Sequence, residues 1–124
     1  MTAREVYEYA LALLDELESD GSVSEDTDDS YGGKAILLID ILQRDIARAE
    51  GVTPRRVTSF DDVLRISDDS ATRILPYGLA ANFALTDDNQ TLYTQYQSMY
   101  NSLLSTIKAV ESPIVDEMNV MSGL

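Results

Sequence analysis

Residues 74–104, ILPYGLAANFALTDDNQTLYTQYQSMYNSLL, constrain the fold of this chain more than any other stretch. A short helix there carries Pro76, Gly78, Ala80, Ala81 and Ala84, residues whose small bulk lets a neighbouring helix come close. Thr86-Asp87-Asp88-Asn89 follows as a polar turn. A long helix then opens with Tyr93, Tyr96 and Tyr100 along it. The pattern predicts a packed helical pair and has nothing of an active site.

The rest of the chain reads in the same way. Thr2 with Glu5 three residues later fits a capping box. Val6, Tyr9, Ala10, Leu13, Leu14 and Leu17 then form one apolar stripe of helical period, which Asp20-Gly21-Ser22 ends. The acidic segment 25–30 suits the mouth of a second helix, where carboxylates meet the positive end of the dipole. Gly32-Gly33 is awkward inside a helix, so the secure part runs from Lys34 to Glu50, with Gly51 at the place of a C-terminal cap. Its apolar residues, among them Ala35, Ile39, Ile41, Leu42 and Ile46, cover more than half the circumference, as expected of a central helix with neighbours on two sides. Residues 52–67 form a connector that periodicity leaves as a short strand, a helical turn or an Ω-like loop. Ser67 is placed to cap a third helix from Asp68 to Leu85, which either kinks at Pro76 or begins again there. Asp88 or Asn89 caps a fourth, expected to run to about Val110 with Leu92, Tyr96, Met99, Leu103, Ile107 and Val110 on its main stripe.

Composition excludes several kinds of chemistry. The 124 residues suffice for one core. With no cysteine and no histidine, thiol catalysis, disulfides and the commonest general base and metal ligand are absent. A net charge of −13 disfavours tight binding to nucleic acid or to an anionic membrane. Nineteen of the 22 carboxylates lie in residues 1–88, so the last third is less protected by self-repulsion and freer to meet a partner. Asp26 to Gly32 alternates oxygen ligands like a calcium loop, but its sixth position is Tyr31 and its twelfth Leu37, where that loop needs Gly and Glu. Asp61-Asp62, Asp68-Asp69 and Asp87-Asp88 flank helices, where Asp is an ordinary cap. Arg55-Arg56 is the one basic doublet, and the serines have no partner at triad spacing. The expectation is a protein that is not an enzyme and has no cofactor and no metal.

The order LPYGLAA…L…DD…Y…Y…L, strongest over Leu75-Pro76-Tyr77-Gly78-Leu79-Ala80-Ala81, resembles the small helical head–tail connector (adaptor, or head-completion) proteins of tailed bacteriophages. The resemblance covers most of the four helices and departs at Gly32-Gly33. It implies a subunit of a homo-oligomeric ring beneath the portal protein. Such a ring extends the DNA channel, lets DNA pass without specific binding and meets the next neck or tail component. An acidic wall suits that passage because it repels DNA. The alternative from another class is an acidic regulatory module that mimics DNA in a partner's basic groove.

The fold expected is therefore all-α, a bundle of about four helices with an extended loop between the second and third helices. Residues 1–112 form the helical domain, and 113–124 a C-terminal tail or docking arm. Pro113 stops the last helix, and Ile114, Val115, Met118, Val120, Met121 and Leu124 then place six apolar or thioether side chains in eleven residues. These six are the candidate partner-binding residues. They either pack back on the bundle or dock on another subunit or on the portal. With no signal-peptide core and no apolar run long enough to cross a membrane, the protein is expected in the host bacterial cytoplasm and then in the virion neck.

Overall fold

The computed structural model describes residues 1–107. Its helices are α1 (Ala3–Leu13), α2 (Glu25–Thr27), α3 (Gly33–Glu50), α4 (Asp68–Arg73), α5 (Leu75–Thr86) and α6 (Gln90–Leu104), with a π-helical turn at Asp28–Gly32 joining α2 to α3. The four long helices α1, α3, α5 and α6 make an all-α bundle. An extended loop, residues 51–67, joins α3 to α4. Among the described residues, pairing of extended backbone is confined to two single bridges, Thr2 with Val63 and Leu17 with Val23.

The centre is α5, which packs against α6, α1 and α3. Leu75, Leu79 and Phe83 are fully buried there, each worth roughly 1.5–3 kcal/mol of transfer free energy. Small residues fill the remaining positions, and Gly78 shows why. A Cβ at Gly78 would lie 2.8 Å from Cδ1 of Tyr100, so α6 sits where any larger residue on α5 would push it away. Proline falls at the second residue of α5, where its missing N–H costs no helical hydrogen bond. The helix therefore breaks at Ile74 (φ −113, ψ −54) and starts again.

Local capping follows the residues. Thr2 and Glu5 form both bonds of the capping box, Ser67 caps α4 and Asn89 caps α6. Gly51 closes α3 in the left-handed region at φ 76, which glycine adopts without steric cost.

Three boundaries differ from expectation. First, α1 ends at Leu13 instead of continuing past Leu17. Asp15 turns at φ 58, and Asp20-Gly21-Ser22 instead forms the tip of a small loop closed by the Leu17–Val23 bridge. Second, Gly32-Gly33 does not delay the second helix. Helical backbone begins at Glu25, capped by Ser24, and the π-helical turn takes in Gly32 while Gly33 opens α3. Third, α6 ends at Leu104 and not near Val110. The hydroxyls of Ser105 and Thr106 donate to the carbonyls of Ser102 and Leu103, competing with the next helical turn.

The connector resolves as an extended loop held by buried side chains of α3. The Asp40 carboxylate accepts from the Val57 N–H at 2.9 Å, and Gln43 Nε2 donates to the Arg55 carbonyl. Glu50 accepts from the Ser67 N–H, the Ser67 hydroxyl and the Ser70 hydroxyl, fixing the start of α4. Burial pushes the Glu50 carboxyl up, but the hydroxyls of Ser67 and Ser70 outweigh it, so the group is held below the usual carboxylate range. Asp40 is likewise lowered: burial raises it, and the bonds from Val57, Arg44 and Gln43 prevail. The other edge of the loop is stitched to the N-terminus, with Ala3 N–H on the Asp62 carbonyl and Leu64 N–H on the Met1 carbonyl.

Candidate assembly surfaces

The six residues expected to bind a partner, Ile114, Val115, Met118, Val120, Met121 and Leu124, lie outside the described residues. So do the whole tail, 113–124, and residues 108–112 of the expected helical domain. The described surface holds candidates of its own.

Several of the residues whose types and spacing suggested catalysis or metal binding make structural contacts. Asp28 accepts a 2.7 Å hydrogen bond from the Tyr7 hydroxyl, and Asp26 belongs to α2 instead of a loop. Desolvation and the Asp28 carboxylate together push the Tyr7 hydroxyl well above its ordinary range. Asp87 accepts from the Tyr31 hydroxyl, tying the π-helical turn to the α5–α6 turn. Asp62 accepts from the N–H groups of Thr58 and Ser59, and these bonds lower its carboxyl. Asp69 pairs with Arg73 at 3.1 Å, and Asp68 with the terminal ammonium at 2.9 Å. The Asp pairs are thus dispersed over separate turns and share no cleft. Among the described residues, no three His, Cys, Asp or Glu side chains gather as a metal site. None of their helices is long and apolar enough to cross a membrane.

Three faces point outward with properties unlike the rest of the surface. The first is α6. Residues 89–107 hold no Asp, Glu, Lys or Arg, in a chain of net charge −13. Within α6 only Tyr100 is buried. Tyr96 is half-buried and donates to the Leu13 carbonyl, while Met99, expected on the inward stripe, is exposed. The helix packs chiefly along α5, where Tyr96 lies against Tyr77 and Tyr100 covers Gly78, with hydrogen bonds from Tyr96 to α1 and from Tyr100 to α3, and its opposite side leaves uncharged residues in solvent.

The second face is the outer side of α3. Lys34, Leu37, Ile41, Arg44 and Arg48 recur at heptad spacing and all are exposed. Leu37 is 61% and Ile41 50% exposed, which overturns the expectation that Ile41 meets a neighbouring helix of its own chain. Arg44 leans on Asp40 at 3.2 Å, and Asp45 next to the stripe receives the Tyr100 hydroxyl. Lys34 and Arg48 have no ion-pair partner among the described residues. Arg56 lies beside Leu37 at a depression next to the stripe, so one residue of the basic doublet extends this face. The signal was legible as the heptad spacing of Lys34, Leu37 and Ile41, but the wide apolar circumference of the helix masked it.

The third face lies on α1. The helix buries Val6, Tyr7, Ala10 and Leu11, so Tyr7 takes the inward place expected for Tyr9. Tyr7 packs edge-on to Phe83 and tilted against Phe60, a fit with the α5 core and the connector that the period of the helix does not specify. Tyr9 is 46% exposed and divides two adjoining hollows of about 300 Å³ each. One hollow runs from Leu13 to Arg73, Pro76 and Tyr77; the other is bordered by Glu5, Glu8 and Leu17. The result is an apolar groove with a carboxylate rim.

Comparison with protein-family models, with curated proteins and with solved structures finds no match to this chain.

Proposed function

We propose that this chain is a structural subunit of a phage head–tail connector, which forms a ring beneath the portal protein and extends the DNA channel. The observation that carries the reading is the uncharged face of α6. A chain of net charge −13 repels copies of itself and other acidic proteins across most of its surface. Residues 89–107 are where that repulsion vanishes, on a 15-residue helix that gives only Tyr100 fully to its own core. Part of this stretch packs on α5, and the exposed uncharged remainder suits docking in an assembly. The resemblance over residues 75–81 supports the same reading, because it falls on the helix that holds α6 in place. The acidic balance suits a channel wall over which DNA slides. Nothing in this role needs a catalytic group, a cofactor or a metal.

In this reading the partners are further copies of the chain, the portal and the next neck or tail component. The place of action is the virion neck, after assembly in the host cytoplasm. Ile114, Val115, Met118, Val120, Met121 and Leu124 form a docking arm for the portal or for the adjacent subunit. The test is native mass measurement of the full chain, alone and mixed with portal rings. A ring, formed alone or on the portal, is the expected result. A monomer or dimer that ignores the portal overturns the reading, and binding to a basic protein in its place supports the DNA-mimic alternative.

A further inference from the structure

Resting on the reading of the chain as a self-assembling subunit, we propose that neighbouring copies join by a heterologous contact. The basic, apolar stripe on α3 of one copy seats in the acidic, apolar groove beside Tyr9 on α1 of the next.

The two faces are complementary in chemistry, and Lys34 and Arg48 of the stripe have no ion-pair partner among the described residues, Lys34 reaching only the Thr86 hydroxyl at 3.4 Å. The stripe offers Leu37 and Ile41 at 61% and 50% exposure, flanked along the helix by Lys34 before and Arg44 and Arg48 after. With Arg56 of the following loop beside Leu37, four of the chain's nine cationic side chains lie on this side. The groove offers Tyr9, Ala12 and Leu17 beneath Glu5 and Glu8. Its one cation, Arg73, is already paired with Asp69. An apolar centre with opposite charges on the two rims is the arrangement that fixes register and steers encounter between proteins.

Like-with-like pairing is disfavoured on both sides. A two-fold contact of stripe on stripe sets Lys34 and Arg48 against the same residues of the partner. Groove on groove does the same with Glu5 and Glu8. The chain's own C-terminal segment is a poor occupant, since Asp116 and Glu117 lie among its apolar residues and the groove rim is acidic. The occupant that fits is a second copy, offering its other face. Such a contact uses a different patch on each partner, so every copy keeps one face free for the next, and the series closes into a ring when the rotation allows. The uncharged face of α6 takes no part in this contact and stays available to other components.

The experiment uses two full-length variants with complementary defects. Glu8→Lys with Ala12→Lys reverses the groove, both positions lying on the surface of α1; Glu5 is spared because it closes the capping box. Lys34→Glu with Arg48→Glu reverses the stripe. Analytical ultracentrifugation, alone and with portal rings, should show each variant as a monomer at concentrations where the wild type is fully assembled. An equimolar mixture should recover the oligomer, because each variant supplies the face that the other's reversed face now matches. Leu37→Ser with Ile41→Ser, which leaves every charge in place, should also lose the oligomer with its melting temperature unchanged. Variants that assemble like wild type overturn this pairing and leave the connector reading standing. A mixture that stays monomeric overturns the pairing too. A wild type that stays monomeric with and without portal overturns the connector reading, and the pairing with it.

Discussion

Replacing Gly78 by alanine sets two effects against each other, and the structure fixes which wins. In an ordinary helix interior, Gly→Ala stabilises by about 1 kcal/mol through backbone entropy. At Gly78 the added Cβ meets Tyr100 Cδ1 at 2.8 Å, Cε1 at 2.9 Å and Leu42 Cδ2 at 3.1 Å. Carbon atoms prefer roughly 3.5–4.0 Å, so the ring has to retreat by more than half an ångström. Tyr100 is buried, and its hydroxyl reaches Asp45 on α3, so the ring cannot retreat without moving α6 away from α5. Overpacking of this kind costs ~1–3 kcal/mol, leaving a net loss of about 1 kcal/mol after the entropy gain. Gly33 supplies the control. It is helical, and a Cβ there meets nothing within 4 Å. Gly33→Ala should therefore stabilise by roughly 0.5–1 kcal/mol. Urea denaturation of both variants and wild type, at one protein concentration, reads the difference directly. Opposite signs are expected. If Gly78→Ala stabilises as much as Gly33→Ala, the close approach of α6 is not what the glycine serves, and small residues on α5 do not set the spacing of the two helices.

Other outcomes follow from the core and the buried carboxylates. Leu79→Asp places a charge where Leu79 is fully buried and should cost several kcal/mol, abolishing the cooperative thermal transition or lowering it far; an unchanged midpoint refutes that burial. Glu50→Ala strands the Ser67 and Ser70 hydroxyls and should cost ~1–3 kcal/mol, read as a lower urea midpoint. Glu50 and Asp40 are both held below their ordinary range, so the native state binds fewer protons than the unfolded chain near pH 4. Their contribution to stability is present above about pH 4 and is lost as pH falls through their lowered values, and Glu50→Ala should flatten that acid limb of the melting curve. Deleting residues 114–124 should leave the melting temperature nearly unchanged and abolish co-sedimentation with portal; a much lower melting temperature places those residues in the core instead.

What could be read from the sequence was local. Thr2 and Glu5, Ser67, Asn89 and Gly51 each act within one turn of themselves, so residue type at a given spacing was enough to place the caps. The four long helices followed from apolar period, and the burial of α5 from its run of small and apolar residues. What the period could not specify was which of two apolar faces a helix turns inward. On α1 both Tyr7 and Tyr9 are suitable, and only the position of Phe83 and Phe60 selects Tyr7. On α3 the apolar circumference exceeds what the bundle covers, so Leu37 and Ile41 remain outside.

The candidate surfaces divide in the same way. The absence of charge over residues 89–107 is a property of the sequence, and it survives any folding of the chain. That α6 shows this stretch to solvent, and that cations gather on α3 while carboxylates border Tyr9, was settled by tertiary packing. Caps and periods depend on neighbours a few residues away, which the sequence states outright. A face becomes a surface only when elements far along the chain leave it uncovered, and that depends on how all the helices pack at once.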